Sequence, residues 1–306
     1  MRAVFGRKGR DTRDRRGARE RTGGAPSQLS GSREGGVSCC QRIGKEFFMN
    51  PFQVEDATGK SIDLLATFSP RPTWVSTFLK FILFASALAT MITGIVMSDP
   101  VWFYFATFKH WTFIVTILYF LMSLVHTMDR PEIASNRYIP FLTRVTWTLY
   151  VIAAPSQLLS CILYWALEFD DINDLEFDVV MVNGVFAVLL FWEGWTLNSV
   201  PIRLNHIWWF AFFIVCFFGW TLIHAKFEIG NPTNPYGDDL YFFLPWDDEP
   251  DQAAIVFGFT MVVVVPICFH TIWLFSLATS RRFQKQKDVR ERLVEASESE
   301  DESTVF

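Results

Sequence analysis

Three side chains have the types that make a nucleophilic site: a hydroxyl at Thr112, an amide at Asn183 and an imidazole at His224. A hydroxyl attacks an acyl carbon when a base takes its proton, and an amide can orient the substrate or support an oxyanion. All three lie near one end of a long apolar segment, with His110 close by in sequence. Polar residues also collect at helix ends without chemistry, so spacing alone leaves both readings open. Glu193 and His270 form a second candidate, each about fifteen residues from the same end of its segment. A contact between them would satisfy two costly intramembrane groups. It reads first as a structural clamp and second as a proton relay. Lys80, near the start of its segment, reads as a side chain that snorkels to water. Ser156, Gln157 and Ser160 beside Pro155 predict a kinked, partly hydrated helix, and Pro266 predicts another kink.

The elements that position these residues are six apolar segments, at about 74–97, 110–127, 145–167, 179–197, 207–223 and 254–278. A helix needs ~20 mostly apolar residues to cross the hydrocarbon core. In lipid, backbone groups must pair within the segment, so each span is a helix. Hydrophobic residues make up 51% of the chain and aromatics 17%, which suits lipid-facing surfaces. Trp102, Tyr104, Trp208, Trp209, Tyr241 and Trp246 fall near segment ends, where amphipathic rings settle at the interface.

Loop charge gives the orientation. Residues 168–178 hold six acidic residues and no Lys or Arg, and 226–252 hold seven acidic residues and one Lys. The other connections and the tail are basic. Counting Lys60 and Arg71, twelve basic residues fall on one side, while only Lys109 and Lys226 fall on the other. Lys and Arg stay cytosolic. The expectation is an all-α polytopic membrane protein, a six-transmembrane-helix bundle with cytosolic N- and C-termini. "Inner" and "outer" below follow this count.

The predicted organisation is a cytosolic, mostly disordered basic region at 1–73, a transmembrane domain at 74–280 and a charged cytosolic tail at 281–306. Residues 1–48 carry twelve basic and five acidic residues and no apolar stretch of signal-peptide length. Met49 opens an alternative, shorter start. Cys39 and Cys40 read as free thiols, with palmitoylation the alternative. Cys161, Cys216 and Cys268 lie inside spans and read as small apolar packing residues. Thr304, Val305 and Phe306 match a peptide end captured by a PDZ-type domain, set against the plainer reading of a solvated tail. Nothing points to nucleic acid, a cofactor or a metal: nucleophile-elbow, phosphate-loop and paired-His motifs are missing. Asn231-Pro232-Thr233 carries the proline that bars glycosylation.

Four stretches carry a family resemblance. These are Lys109-His110-Trp111-Thr112-Phe113, Asn183-Gly184 with Glu193-Gly194 ten residues on, the turn from Asn198 to His206, and Leu240-Tyr241-Phe242-Phe243-Leu244-Pro245-Trp246-Asp247. In order and position, residues 74–282 resemble the six-span rolling-stone and androgen-induced membrane protein superfamily. The androgen-induced branch contains threonine hydrolases of fatty acid esters of hydroxy fatty acids. The resemblance places Thr112 as their nucleophile, but Asn183 stands where their catalytic His would be. An amide cannot accept the hydroxyl proton at neutral pH. The first expectation is therefore a non-catalytic rolling-stone-like protein, acting by membrane interaction or lipid binding. That branch is associated with myoblast fusion. The alternative is an intramembrane hydrolase of lipid esters, with Thr112 as nucleophile and His224 as relocated base. The third is a transporter or channel using Glu193 and His270. Membrane lipids and a lipid-ester substrate are the expected partners.

Overall fold

The computed structural model describes residues 73–129, 139–169, 177–198, 200–232 and 239–279. The N-terminal region with Cys39, Cys40 and Met49, the charged tail and Thr304, Val305 and Phe306 lie outside the described residues. All regular structure among the described residues is helical. Six helices are long and apolar enough to cross a membrane: span 1 (Trp74–Met97), span 2 (Phe108–Met128), span 3 (Phe141–Leu167), span 4 (Phe177–Thr196), span 5 (Leu204–Lys226) and span 6 (Pro250–Thr279). The chain is an integral, multi-pass membrane protein of the all-α class.

The helices start earlier than hydropathy predicts, because a first turn tolerates polar residues. Span 3 begins four residues early, after Pro140, and the Arg144 Nε donates to the Ile139 carbonyl at 2.9 Å. Span 6 opens on Pro250, whose fixed φ suits a first helical position, followed by Asp251 on the positive end of the helix dipole. Span 5 ends in a tight turn with Gly230 at φ 91°, a left-handed conformation that glycine adopts freely.

Span 2 packs most extensively on span 3 and next on span 1, while span 3 also touches spans 4 and 5. Phe113, Phe120, Trp147, Phe186, Leu190 and Phe210 are all fully buried in the resulting core. The outside is as apolar as the inside. Phe78, Phe81, Trp208, Phe212, Val262 and Phe275 are exposed, as helices facing lipid require. A polar stripe runs down the buried face of span 2 through Thr112, Thr116, Tyr119, Ser123 and Thr127. Small hydroxyl residues of this kind let helices approach closely and bond across the contact.

Close approach is tightest at Gly194. A Cβ there would collide with the Tyr150 hydroxyl and lie 2.7 Å from the carbon bearing it. Tyr150 is buried, and its rigid ring has no free direction to move. Gly194→Ala is expected to cost about 1–3 kcal/mol. At Gly184 a Cβ meets nothing within 4 Å, so Gly184→Ala is neutral or slightly stabilising. Thermal melts of the purified variants in one detergent check the pair; equal melts would mean that the Tyr150 contact yields without cost.

Candidate functional site

The outer half of span 4 departs from α geometry. Met181–Val185 is a π turn, which carries one residue too many and so frees backbone carbonyls from the helix ladder. Span 3 takes up those carbonyls. The Gln157 amide donates to the Val182 carbonyl, and the Trp165 indole N–H to the Asn183 carbonyl at 3.3 Å. Gln157 thus serves helix pairing rather than hydration. The Asn183 side chain is fully buried, and its Oδ1 accepts from the Ser160 hydroxyl at 2.9 Å. Its Nδ2 has no hydrogen-bond partner among the described residues. Buried amide donors are almost always satisfied, so this one marks an open position.

Asn183, Ser160, Lys109, Phe108, Tyr164 and Tyr241 line a narrow crevice with room for about one water-sized group, partly open to the surroundings. The Tyr241 hydroxyl accepts from the Phe108 backbone N–H at 2.8 Å, which pins the outer loop to the start of span 2.

Of the three residues proposed for nucleophilic chemistry, only Asn183 lines this pocket. The Thr112 hydroxyl is fully buried and donates to the Lys109 carbonyl at 2.8 Å, one turn back in its own helix. His224 lies on span 5 beside the rings of Trp102 and Trp220, with centroids 6.3 and 5.8 Å away. Among the described residues no hydrogen bond joins Thr112 to His224. Their shared depth did not bring them together, because the Thr112 face of span 2 turns toward spans 3 and 4 while Trp111 faces span 5.

The expected Glu193–His270 contact is also absent. His270 is exposed on span 6, with its Nδ1 2.7 Å from the Pro266 carbonyl. Glu193 is fully buried and accepts from Tyr119 at 2.5 Å, Ser123 at 3.0 Å and the Asn198 amide at 2.6 Å. Its counter-charge is Lys80. That ammonium does not snorkel: it is 1% exposed and donates to Thr127 at 2.8 Å and to the Asn198 Oδ1 at 2.9 Å. Asn198 therefore bridges the cation to the anion. The network ties spans 1, 2 and 4 together at the inner end, and a satisfied network of this kind holds a bundle in register. Phe186 and Leu190, both fully buried, fill span 4 between Asn183 and Glu193, so apolar side chains separate the two polar groups along this helix.

A second outer cluster was not foreseen. The His110 Nε2 lies 3.0 Å from the Asp178 Oδ2, and its Nδ1 lies 2.8 Å from the Thr107 hydroxyl. The Lys109 ammonium lies 3.5 Å from the same carboxylate. The Tyr104 ring stacks on the imidazole, with centroids 3.5 Å apart. Burial, and then the Asp178 carboxylate, push the Tyr104 phenol well above its usual range, so it stays protonated. Asp178 Oδ1 and the Tyr104 hydroxyl have no hydrogen-bond partner among the described residues. Gly94 makes room for both, since a Cβ there would lie 2.6 Å from Asp178 and 2.7 Å from Tyr104. Asp178 hides in sequence as one of six acids in residues 168–178. The available signal was Thr107 and His110, which share a helix face at a spacing of three. No group of His, Cys, Asp and Glu among the described residues has a metal-binding arrangement. No family model, curated protein or solved structure matches the chain.

Proposed function

We propose that this integral membrane protein binds an acyl lipid through its outer pocket, with a lipid carbonyl oxygen accepting from the Asn183 amide. The supporting observation is the buried, unpartnered Asn183 Nδ2, on a residue that lines the narrow outer crevice. The crevice admits a group about the size of a carbonyl oxygen, so the acyl chain stays outside it; Phe108, Leu163 and Tyr164 line the crevice, as does Lys109, whose cation is paired to Asp178. That pairing leaves little net charge, so a neutral ester head fits better than a bare anion. The rolling-stone-like resemblance belongs to this reading as a proposal, and lipid binding is the role it takes here. Hydrolysis at Thr112 has no supporting geometry, since that hydroxyl neither lines the pocket nor meets a base.

A diazirine-tagged monoacylglycerol tests the reading. The reconstituted protein should crosslink at pocket residues, and competing untagged lipid ester should suppress the signal. Asn183→Leu keeps the volume and removes the donor; a lost hydrogen bond weakens binding roughly 2–10-fold. Thr112→Val should crosslink like the natural chain. Labelling unchanged in Asn183→Leu, or confined to the outer surface of the spans, would overturn the assignment.

A further inference from the structure

An imidazole on the outside of a membrane span has a polar atom that hydrocarbon cannot satisfy. His270 is such a group on span 6, flanked by the exposed Ile267 and Leu274. A carbonyl oxygen can only accept, so the 2.7 Å contact with the Pro266 carbonyl puts the ring proton on Nδ1. In the neutral ring, Nε2 is then a bare acceptor, and it has no partner among the described residues. The Phe269 and Trp273 rings meet the imidazole nearly at right angles, at 6.3 and 6.2 Å, and with the Pro266 bond they hold its direction.

A matching donor lies on span 4. Trp192 and Trp195 are exposed, and neither indole N–H has a hydrogen-bond partner among the described residues. By contrast, Trp111, Trp147, Trp165 and Trp220 each donate to a backbone carbonyl. Trp195 is one residue from the end of its span, where an indole reaches the headgroups. Trp192 lies about a turn deeper. Spans 4 and 6 run in the same direction, and the Trp195 and Phe275 rings, 6.4 Å apart, mark a common level. Trp192 is three residues outward from Trp195 and His270 five outward from Phe275. At 1.5 Å per residue, the free donor and the free acceptor agree in depth to ~3 Å.

We propose that this face of spans 4 and 6 is a homodimer interface, in which the Trp192 indole N–H of each copy donates to the His270 Nε2 of the other. A two-fold axis along the membrane normal preserves depth, so a donor and an acceptor at one level meet reciprocally and the bond forms twice. Val188, Ile267 and Leu274 are exposed on the same two spans, but apolar side chains meet lipid as readily as protein, so polar pairing decides the association. Lipid is the weaker occupant. Acyl chains carry no donor, and lipid hydroxyls stay at headgroup level, whereas His270 lies about 8 Å deeper than Phe275 near the inner end of the span. The face belongs to the inner half of the bundle, away from the outer crevice, and does not rest on lipid binding there.

Single-molecule photobleaching of the dye-labelled full chain in phosphatidylcholine vesicles, over a range of protein-to-lipid ratios, reads the dimer fraction. The natural chain should dimerise as the ratio rises. His270→Leu and Trp192→Phe should each weaken dimerisation about 10-fold, the usual worth of two intramembrane hydrogen bonds. The double variant should be no weaker than either single one, because both changes delete the same two bonds. Trp195→Phe should dimerise like the natural chain. A benzoylphenylalanine at Ile267 should crosslink to span 4 or span 6 of a second copy, a readout that keeps His270 and Trp192 in place should either variant fail to fold. Monomers at every ratio, single variants that dimerise normally, losses that add in the double variant, or crosslinks confined to spans 1, 2, 3 or 5 would each overturn the interface. A dimer that forms only when a sterol is added would overturn it too, since the imidazole would then take its donor from lipid.

Discussion

Replacing Lys80 with methionine should destabilise the bundle by about 3–5 kcal/mol, because it strands the Glu193 carboxylate in a water-free interior. Methionine matches the length and apolar character of the lysine stem, so packing changes little and charge dominates. In the natural chain the ammonium has Thr127 and the Asn198 Oδ1 as partners, and Asn198 passes the interaction to Glu193. Without the cation, Asn198 loses what its carbonyl accepts, and the carboxylate keeps only neutral donors. Glu193→Gln alone should also lower stability, since an amide oxygen cannot accept all the bonds that Tyr119, Ser123 and Asn198 direct at the two carboxylate oxygens. The informative variant combines both changes. If the charges act as one unit, Lys80→Met with Glu193→Gln loses less than the sum of the single losses, by ~0.5–3 kcal/mol. Reversible unfolding in mixed micelles measures all three variants, and strict additivity would show that Lys80 and Glu193 are independent.

Trp147→Ala should cost about 3–5 kcal/mol, the range for emptying the site of a large buried aromatic. Trp147 is fully buried on span 3 and anchors the turn between spans 4 and 5. Its indole N–H donates to the Pro201 carbonyl at 2.7 Å, the Arg203 guanidinium lies 5.7 Å from the ring centre, and the His206 ring meets it edge-on at 5.5 Å. The same turn is tied to span 6, where the Ser276 hydroxyl donates to the Val200 carbonyl and accepts from the Ile202 N–H. Losing the indole frees one side of a turn fastened on two. Trp147→Phe fills most of the space and leaves the Pro201 carbonyl unpaired, so it should cost ~1–3 kcal/mol. Proteolytic sensitivity of the 198–206 turn should rise in the same order. If the two variants melt together, the indole bond rather than volume holds this turn.

The six spans were legible because a run of ~20 apolar residues has few other fates. The depth of a polar residue along its span was legible too, and Glu193 was rightly singled out as a group needing a partner. The partner was not legible. Depth leaves open the rotation of each helix and the order of helices around the bundle, and packing sets both. His270 matched Glu193 in depth and still faces outward, whereas Lys80 was set aside because its backbone lies near the membrane edge. The outer site failed for a related reason. Thr112, Asn183 and His224 share a depth, but their helices turn them in different directions. Asp178 reads as one more acid in an acidic loop, and only the structure shows its carboxylate against His110.

The π turn at Met181–Val185 has a consequence for how span 4 can change. Such a turn absorbs one surplus residue, since five residues at its wider pitch turn about as far as four at α pitch, so the two halves of span 4 keep their phase across it. Removing one residue there would restore ordinary pitch with Asp178 still facing His110 and Glu193 still held by Tyr119, Ser123 and Asn198. The carbonyls that Gln157 and Trp165 now bond would return to the helix ladder. A single-codon deletion would thus cost the ties to span 3 and spare the register at both ends of the rod.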